Sequence, residues 1–184
     1  MKEYPTLWTE RLFLRPFLIS DAQVVQRLAG DPDVSGTLFT FDPRKPGVAE
    51  QWILDQYECY DKGRWVNFAV TDIARGLIMG SIGLDLDIDP CNHAAEIMYW
   101  IGKEYWGKGY ATESAKVVLG YGFNIIGLNY IYARYLVRNP ASGRVLTKIG
   151  MNYKGYLPQS LQRGNMFEDL NMMGITKNEF QTLL

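Results

Sequence analysis

The period of apolar and polar positions changes several times along the chain, and each change marks an element. Arg11-Leu12-Phe13-Leu14-Arg15 alternates charged and apolar residues up to Pro16, the period-two pattern of a strand. Ser20-Asp21 then opens a helix carrying Ala22, Val24, Val25 and Leu28, with Gly30 as its stop. Residues 31–47 hold three prolines and two glycines and read as a loop. A second helix over 47–61 sets Val48, Trp52, Ile53 and Tyr57 at helical spacing. Strand-like runs follow at 65–70, 77–88 and 94–101, with turn signals at Arg75-Gly76 and Asp89-Pro90, so an antiparallel meander is expected. A helix over 110–126, a strand over 130–137, a short helix over 140–148 ending at Gly150, and closing strands at 151–157 and 166–174 complete the pattern.

This order predicts an α+β fold with one mixed, mostly antiparallel sheet flanked by about four helices, as a single domain over 1–184. With 184 residues, 47% hydrophobic and 21% charged, the chain builds a core without a disulfide or metal staple. A formal net charge of −1 argues against general binding to nucleic acid or a membrane surface. Two cysteines, Cys59 and Cys91, show no CxxC spacing, and with His93 the single histidine a Cys/His zinc site is excluded, so no metal is expected. The opening residues lack an apolar targeting run, and a reduced, soluble, cytoplasmic protein is the expectation.

Three stretches bear on chemistry. In Trp106-Gly107-Lys108-Gly109-Tyr110-Ala111 the glycines separate a strand from a helix. The stretch is either a plain turn or a place where helix N-terminal amides meet a phosphate, with Lys108 adding charge. No GKS or GKT closes it and no third glycine follows, so neither nucleotide fingerprint applies. In Arg138-Asn139-Pro140-Ala141-Ser142, Asn139 is an N-cap before Pro140, and its side-chain amide and the Ser142 hydroxyl are also placed to meet a ligand. Glu96 shares a strand face with Met98 and Trp100. It is either a carboxylate with a raised pKa able to accept a proton, or a carboxylate at the strand's solvated end, or the partner of an arginine such as Arg134. His93 and Cys91 read as turn residues, Asp85, Asp87 and Asp89 as one solvated strand face, and Phe39, Phe41 and Trp52 as candidate pocket walls.

Together, AEIMYWIGKEYWGKGYATESAKVVLGYGF and NYIYARYLVRNPASGRVLTKIGM resemble the GNAT superfamily of acyl-CoA-dependent N-acetyltransferases. TERLFLRPFLISDA and DPDV resemble the branch that contains the ribosomal-protein N-terminal alanine acetyltransferases. The resemblance implies a splayed sheet and acetyl-CoA as cosubstrate. The amides of Gly107, Lys108, Gly109, Tyr110, Ala111 and Thr112 would hold the pyrophosphate, with Trp106 standing where the family usually has Gln or Arg. The backbone of Trp100 and Ile101 would pair with the pantetheine arm, Asn139 would hydrogen-bond it, and Ser142 would lie near the thiol. Glu96 matches the position that often serves as base, directly or through water. Many members place a Tyr seven residues after the Asn as acid, but Leu146 stands there, so protonation of the thiolate falls to Ser142, to water or to no group.

The implied reaction is direct attack of an amine on the thioester, in keeping with the absence of an activated Cys or Ser. The acceptor is a protein N-terminus or a small amine such as a polyamine, an amino acid or an aminoglycoside. Asp31, Asp33 and Asp42 would make an acidic pocket for a polycation, or else serve as caps and turn formers. A non-catalytic acyl-CoA-binding module is the alternative. Partners are acetyl-CoA and the amine, with no nucleic acid or membrane, and the chain is a monomer or homodimer.

Overall fold

The computed structural model describes residues 3–39, 43, 45, 47–86 and 93–183. Strands β1 (Leu7–Trp8) and β2 (Leu12–Arg15) precede helices α1 (Ala22–Gly30), α2 (Pro32–Ser35) and α3 (Val48–Asp61). The meander follows as β3 (Trp65–Asp72), β4 (Ile78–Asp85) and β5 (Ala94–Ile101). Then come α4 (Tyr110–Tyr121), β6 (Tyr130–Leu136), α5 (Pro140–Lys148), the hairpin β7 (Asn152–Arg163) and β8 (Met166–Thr176), and α6 (Lys177–Gln181). Among the described residues, eight strands form one sheet in the order β1-β2-β3-β4-β5-β6-β8-β7.

Every pairing is antiparallel except β5 with β6. Those two strands are joined by α4, and a crossover helix is what a parallel neighbour requires. The expected meander is present as β3, β4 and β5, and the expected α+β fold with a mixed sheet is the observed one.

Strand alternation sends side chains to two separate cores. One face of the sheet (Val66, Phe68, Ile82, Ile97, Ile131) packs against Ala115, Val118 and Leu119 of α4, Leu146 of α5 and Phe180 of α6. The other (Ala69, Ile78, Trp100) packs against Val25 and Leu28 of α1 and Trp52 and Ile53 of α3. Helices on both faces leave the middle of the sheet dry, so emptying one such position, as in Phe68→Ala, costs about 3–5 kcal/mol.

Several boundaries differ from the sequence expectation. The stretch read as loop contains α2, because Asp31 accepts from the Asp33 amide at 2.9 Å and Pro32 supplies a preset first turn. The helix expected to run to 126 stops at Tyr121, and a wide π turn over Gly122–Ile126 closes on Gly127 in the left-handed region. The four expected helices are α1, α3, α4 and α5, and the short α2 and α6 join them. Cys91, Phe41, Asp42, Asp87 and Asp89 lie outside the described residues. Among the described residues no helix is long and apolar enough to cross a membrane, and no group of three or more His, Cys, Asp or Glu is placed to hold a metal ion.

Candidate active site

The parallel pairing of β5 and β6 lasts for three rungs: Ala94 with Tyr130, Ala95 with Ile131, Glu96 with Tyr132. Beyond Glu96 the two strands part, since β5 follows β4 and β6 follows β8. The wedge between them opens into a cavity of about 850 Å³ that passes through the sheet. The Gly102 amide donates to the Met79 carbonyl at 2.8 Å, and a Cβ added at Gly80 would clash with the Trp100 carbonyl, so Trp100 turns its backbone toward β4. By the two-residue period Tyr99 and Ile101 turn theirs toward the wedge. The expectation that the Trp100 backbone faces an incoming arm is therefore corrected to Tyr99. Ile101 faces the wedge, and its carbonyl accepts from the Trp106 indole N–H at 2.6 Å.

At the mouth of the wedge lies the glycine turn. Gly107 and Gly109 have φ of +75° and +83°, a conformation that L side chains rarely adopt, and Gly109 is the N-cap of α4 without any side-chain cap. The amides of residues 107–112 donate to no group among the described residues. They form a row of free donors at the positive end of a twelve-residue helix. The turn is braced from behind. Glu113 accepts from Thr9 Oγ1 at 2.6 Å and from Arg11 Nε at 2.7 Å, while Arg11 Nη1 donates to the Lys108 carbonyl at 3.1 Å. Burial alone would raise the Glu113 carboxyl, but these bonds and that from the Arg11 amide outweigh it and hold its pKa below the usual value. Lys108 departs from expectation: its Nζ donates to the Glu104 carbonyl at 3.1 Å and lies over the Tyr105 ring, outside the cavity wall.

On the α5 side, Asn139 Oδ1 accepts from the Ser142 amide at 3.4 Å, leaving its side-chain NH₂ in the wall as a donor. Ser142 Oγ lies 2.8 Å from the Tyr99 hydroxyl, which also donates to the Ser142 carbonyl at 3.1 Å. Burial pushes the Tyr99 phenol well above its ordinary pKa against the lowering effect of the Ser142 bond, so the phenol keeps its proton. Leu146 is fully buried in the core and does not line the cavity.

Glu96 is 1% exposed and belongs to Arg134. Arg134 Nε donates to Oε1 at 2.8 Å, Nη2 to Oε2 at 2.6 Å, and the Arg134 amide to Oε1 at 3.3 Å. Arg134 lines the cavity and Glu96 does not. Of the readings of Glu96, those of a free carboxylate among apolar neighbours and of one at a solvated strand end are corrected. That of a partner for Arg134 is the observed one, with the guanidinium in the cavity wall.

The acetyltransferase (GNAT) domain family matches residues 11–152. The chain belongs to the GNAT N-acetyltransferases. A curated relative named uncharacterized N-acetyltransferase p20, from Bacillus licheniformis, is 29% identical over 95% of this chain and 98% of its own. The structure of a ribosomal-protein-S5-alanine acetyltransferase from Vibrio fischeri superposes with a TM-score of 0.82 at 21% identity, covering 96% of this chain and 98% of that one. That of a spermidine N-acetyltransferase from Vibrio cholerae, in complex with CoA and spermine, superposes with a TM-score of 0.80 at 22% identity, covering 94% and 99%.

In this GNAT N-acetyltransferase the cavity brings together Ile101, Trp106, Gly107, Gly109, Tyr110, Ala111, Thr112, Asn139 and Ser142 as expected, along with the side chain of Trp100. Phe39 and Trp52 line it too. Sequence reading overlooked Tyr99, Arg138 and Asn67. Tyr99 was legible: it sits two residues before Ile101, on the same strand edge. Arg138 was quoted only as the lead-in to Asn139, yet it fastens α2 by donating to the Gly36 carbonyl at 2.7 Å and to Glu168 at 2.5 Å. Asn67 carried no local signal, because its role comes from Ser81 and Gln56 on other elements.

Proposed function

We propose that the protein transfers an acetyl group from acetyl-CoA to a primary amine by direct attack. One observation carries this reading: the open β5–β6 wedge leads straight to the row of free amides at the head of α4. A pantetheine arm fits between the strands, hydrogen-bonding the wedge-facing backbone of Tyr99 and Ile101 and the NH₂ of Asn139, while a pyrophosphate meets the amides. Likeness to a protein solved with CoA supports the cosubstrate.

The amine nitrogen forms the new N–C bond, the thioester C–S bond breaks, and the nitrogen gives up its proton to solvent. Burial favours the protonated form of the Tyr99 phenol, and with Ser142 the phenol stabilises the departing thiolate by hydrogen bonding. The released thiolate then takes its proton from the solvent buffer, which has received the one the amine gave up. The Glu96 carboxylate fixes Arg134, whose charge beside the reacting amine disfavours its protonated, unreactive form.

For the acceptor, likeness to a ribosomal-protein alanine acetyltransferase supports a protein N-terminus. Likeness to a spermidine acetyltransferase would support a polyamine, but a polycation needs acidic walls. Among the described residues, Asp31 caps α2 and Asp33 pairs with Lys103 at 2.5 Å, while Asp42 lies outside them. The buried Leu146 in place of a tyrosine favours the second reading, a non-catalytic acyl-CoA module. Thiol release from acetyl-CoA with a panel of amines decides between them. Amine-dependent release establishes the transferase, and tight acetyl-CoA binding without release under any amine leaves the module.

A further inference from the structure

We propose that the acceptor bears a carboxylate close to its amine, and that Arg134 grips it. The inference rests on the acetyl-transfer reading and names the acceptor class of that site.

Arg134 lies two residues beyond the last β5–β6 rung, so it flanks the apex of the wedge where the thioester would end. Its Nε and Nη2 bind Glu96 side-on. The other edge of the guanidinium, Nη1 with the second Nη2 hydrogen, donates to no group among the described residues, and 37% of the side chain is exposed. A planar fork with one edge filled and one edge open is built to take a second carboxylate with two parallel hydrogen bonds.

The surrounding wall is short of acceptors and long in donors. Asn67 Oδ1 accepts from Ser81 Oγ at 2.8 Å, Glu96 is spent on Arg134, and Asp33 on Lys103. Trp100, 7% exposed, holds a buried indole N–H without a partner. A carboxylate entering here meets the open edge of the guanidinium as its donor pair.

The test compares matched acceptors by kcat/KM on the wild-type protein with acetyl-CoA. The acceptors are an α-amino acid against its carboxamide, a peptide with an acidic second residue against its amide counterpart, and spermidine. Whichever carboxylate-bearing source is used by the protein should beat its neutral match by roughly 10- to 100-fold, the usual strength of a charge-assisted pair. The two matched pairs tell a free amino carboxylate from an acidic peptide N-terminus. The double variant Glu96→Gln/Arg134→Gln, which strands no buried charge, should erase the ratio while acetyl-CoA affinity by calorimetry is unchanged. Neutral amines or spermidine matching or exceeding the carboxylates overturns the inference and leaves acetyl transfer standing. No thiol release with any amine overturns both. If the double variant does not fold, the wild-type ratio decides alone.

Discussion

Glu96, in the last rung before β5 and β6 separate, is held by Arg134 two residues beyond that rung on β6, with both carboxylate oxygens bound by the guanidinium and one bound again by the Arg134 amide. The pair ties the two strands at the apex of the wedge, where they part.

The two halves of this pair are not equivalent, and stability should show it. Arg134→Gln strands a carboxylate that is 1% exposed, which should cost about 2–4 kcal/mol after allowing for the water around the arginine. Glu96→Gln strands a guanidinium already in contact with solvent and should cost about 1–2 kcal/mol. The double variant should lose less than the sum, with a coupling of about 1–3 kcal/mol. Urea unfolding of the four proteins measures this, and additive losses would mean that the pair does no more than its separate parts.

The pattern of apolar positions made most of the fold legible, because four long helices and the meander each repeat one period over eight or more residues. What escaped depends on residues distant in sequence. α2 rests on one cap and one proline, which a composition reading takes for loop. The π turn begins at Gly122, where a Cβ would meet Ile131 and Leu84, a close approach that no local window contains. In the site, the glycine turn and Asn139 could be read directly, since backbone conformation and capping are local. Glu96 could not be assigned, because a carboxylate in a strand looks the same whether its neighbour is a substrate amine or Arg134. Strand order decides that, and strand order is not written in any one segment.

Gly107→Ala and Gly109→Ala should act through backbone conformation. A Cβ at Gly107 meets nothing within 4 Å, and one at Gly109 only Arg11 Nη2 at 3.5 Å, so crowding is not the cost. Forcing a left-handed residue costs about 1–2 kcal/mol or rotates the amides away from the ligand. Each variant should raise KM for acetyl-CoA about tenfold or more while leaving turnover of acetyl-pantetheine, which lacks the pyrophosphate, near the wild-type value. An equal loss with both thioesters would show that the turn does not read the pyrophosphate.

Glu113 links this turn to acid stability. Its pKa is held below the ordinary value, so the folded state favours the carboxylate more than the unfolded chain does. The contribution is fully present above the unfolded pKa of about 4.3 and is lost as the pH falls through the lower folded value. Glu113→Gln should therefore lower stability at pH 7 and flatten its fall between about pH 5 and 3. Because Arg11 then releases the Lys108 carbonyl, acetyl-CoA affinity should drop as well. Parallel pH–stability curves for the two proteins would refute the link.

Tyr99 and Ser142 carry the remaining question of how the thiolate leaves without a tyrosine at position 146. If they donate hydrogen bonds to the sulfur rather than a proton, each removes about 1–1.5 kcal/mol from the barrier, and Tyr99→Phe or Ser142→Ala should lower kcat about tenfold. The two hydroxyls lie 2.8 Å apart and act as one unit, so the double variant should fall little further than either single one. The basicity of the leaving thiolate separates the two mechanisms. A phenol that gives up its proton matters most for a basic thiolate and little for an acidic one, whereas a phenol that only donates a hydrogen bond lowers kcat by a similar factor for both. Timed thiol release by the wild type and Tyr99→Phe, with acetyl-CoA and with an acetyl thioester of a more acidic thiol, reads the difference. A loss in Tyr99→Phe that disappears with the more acidic thiol would make Tyr99 the acid.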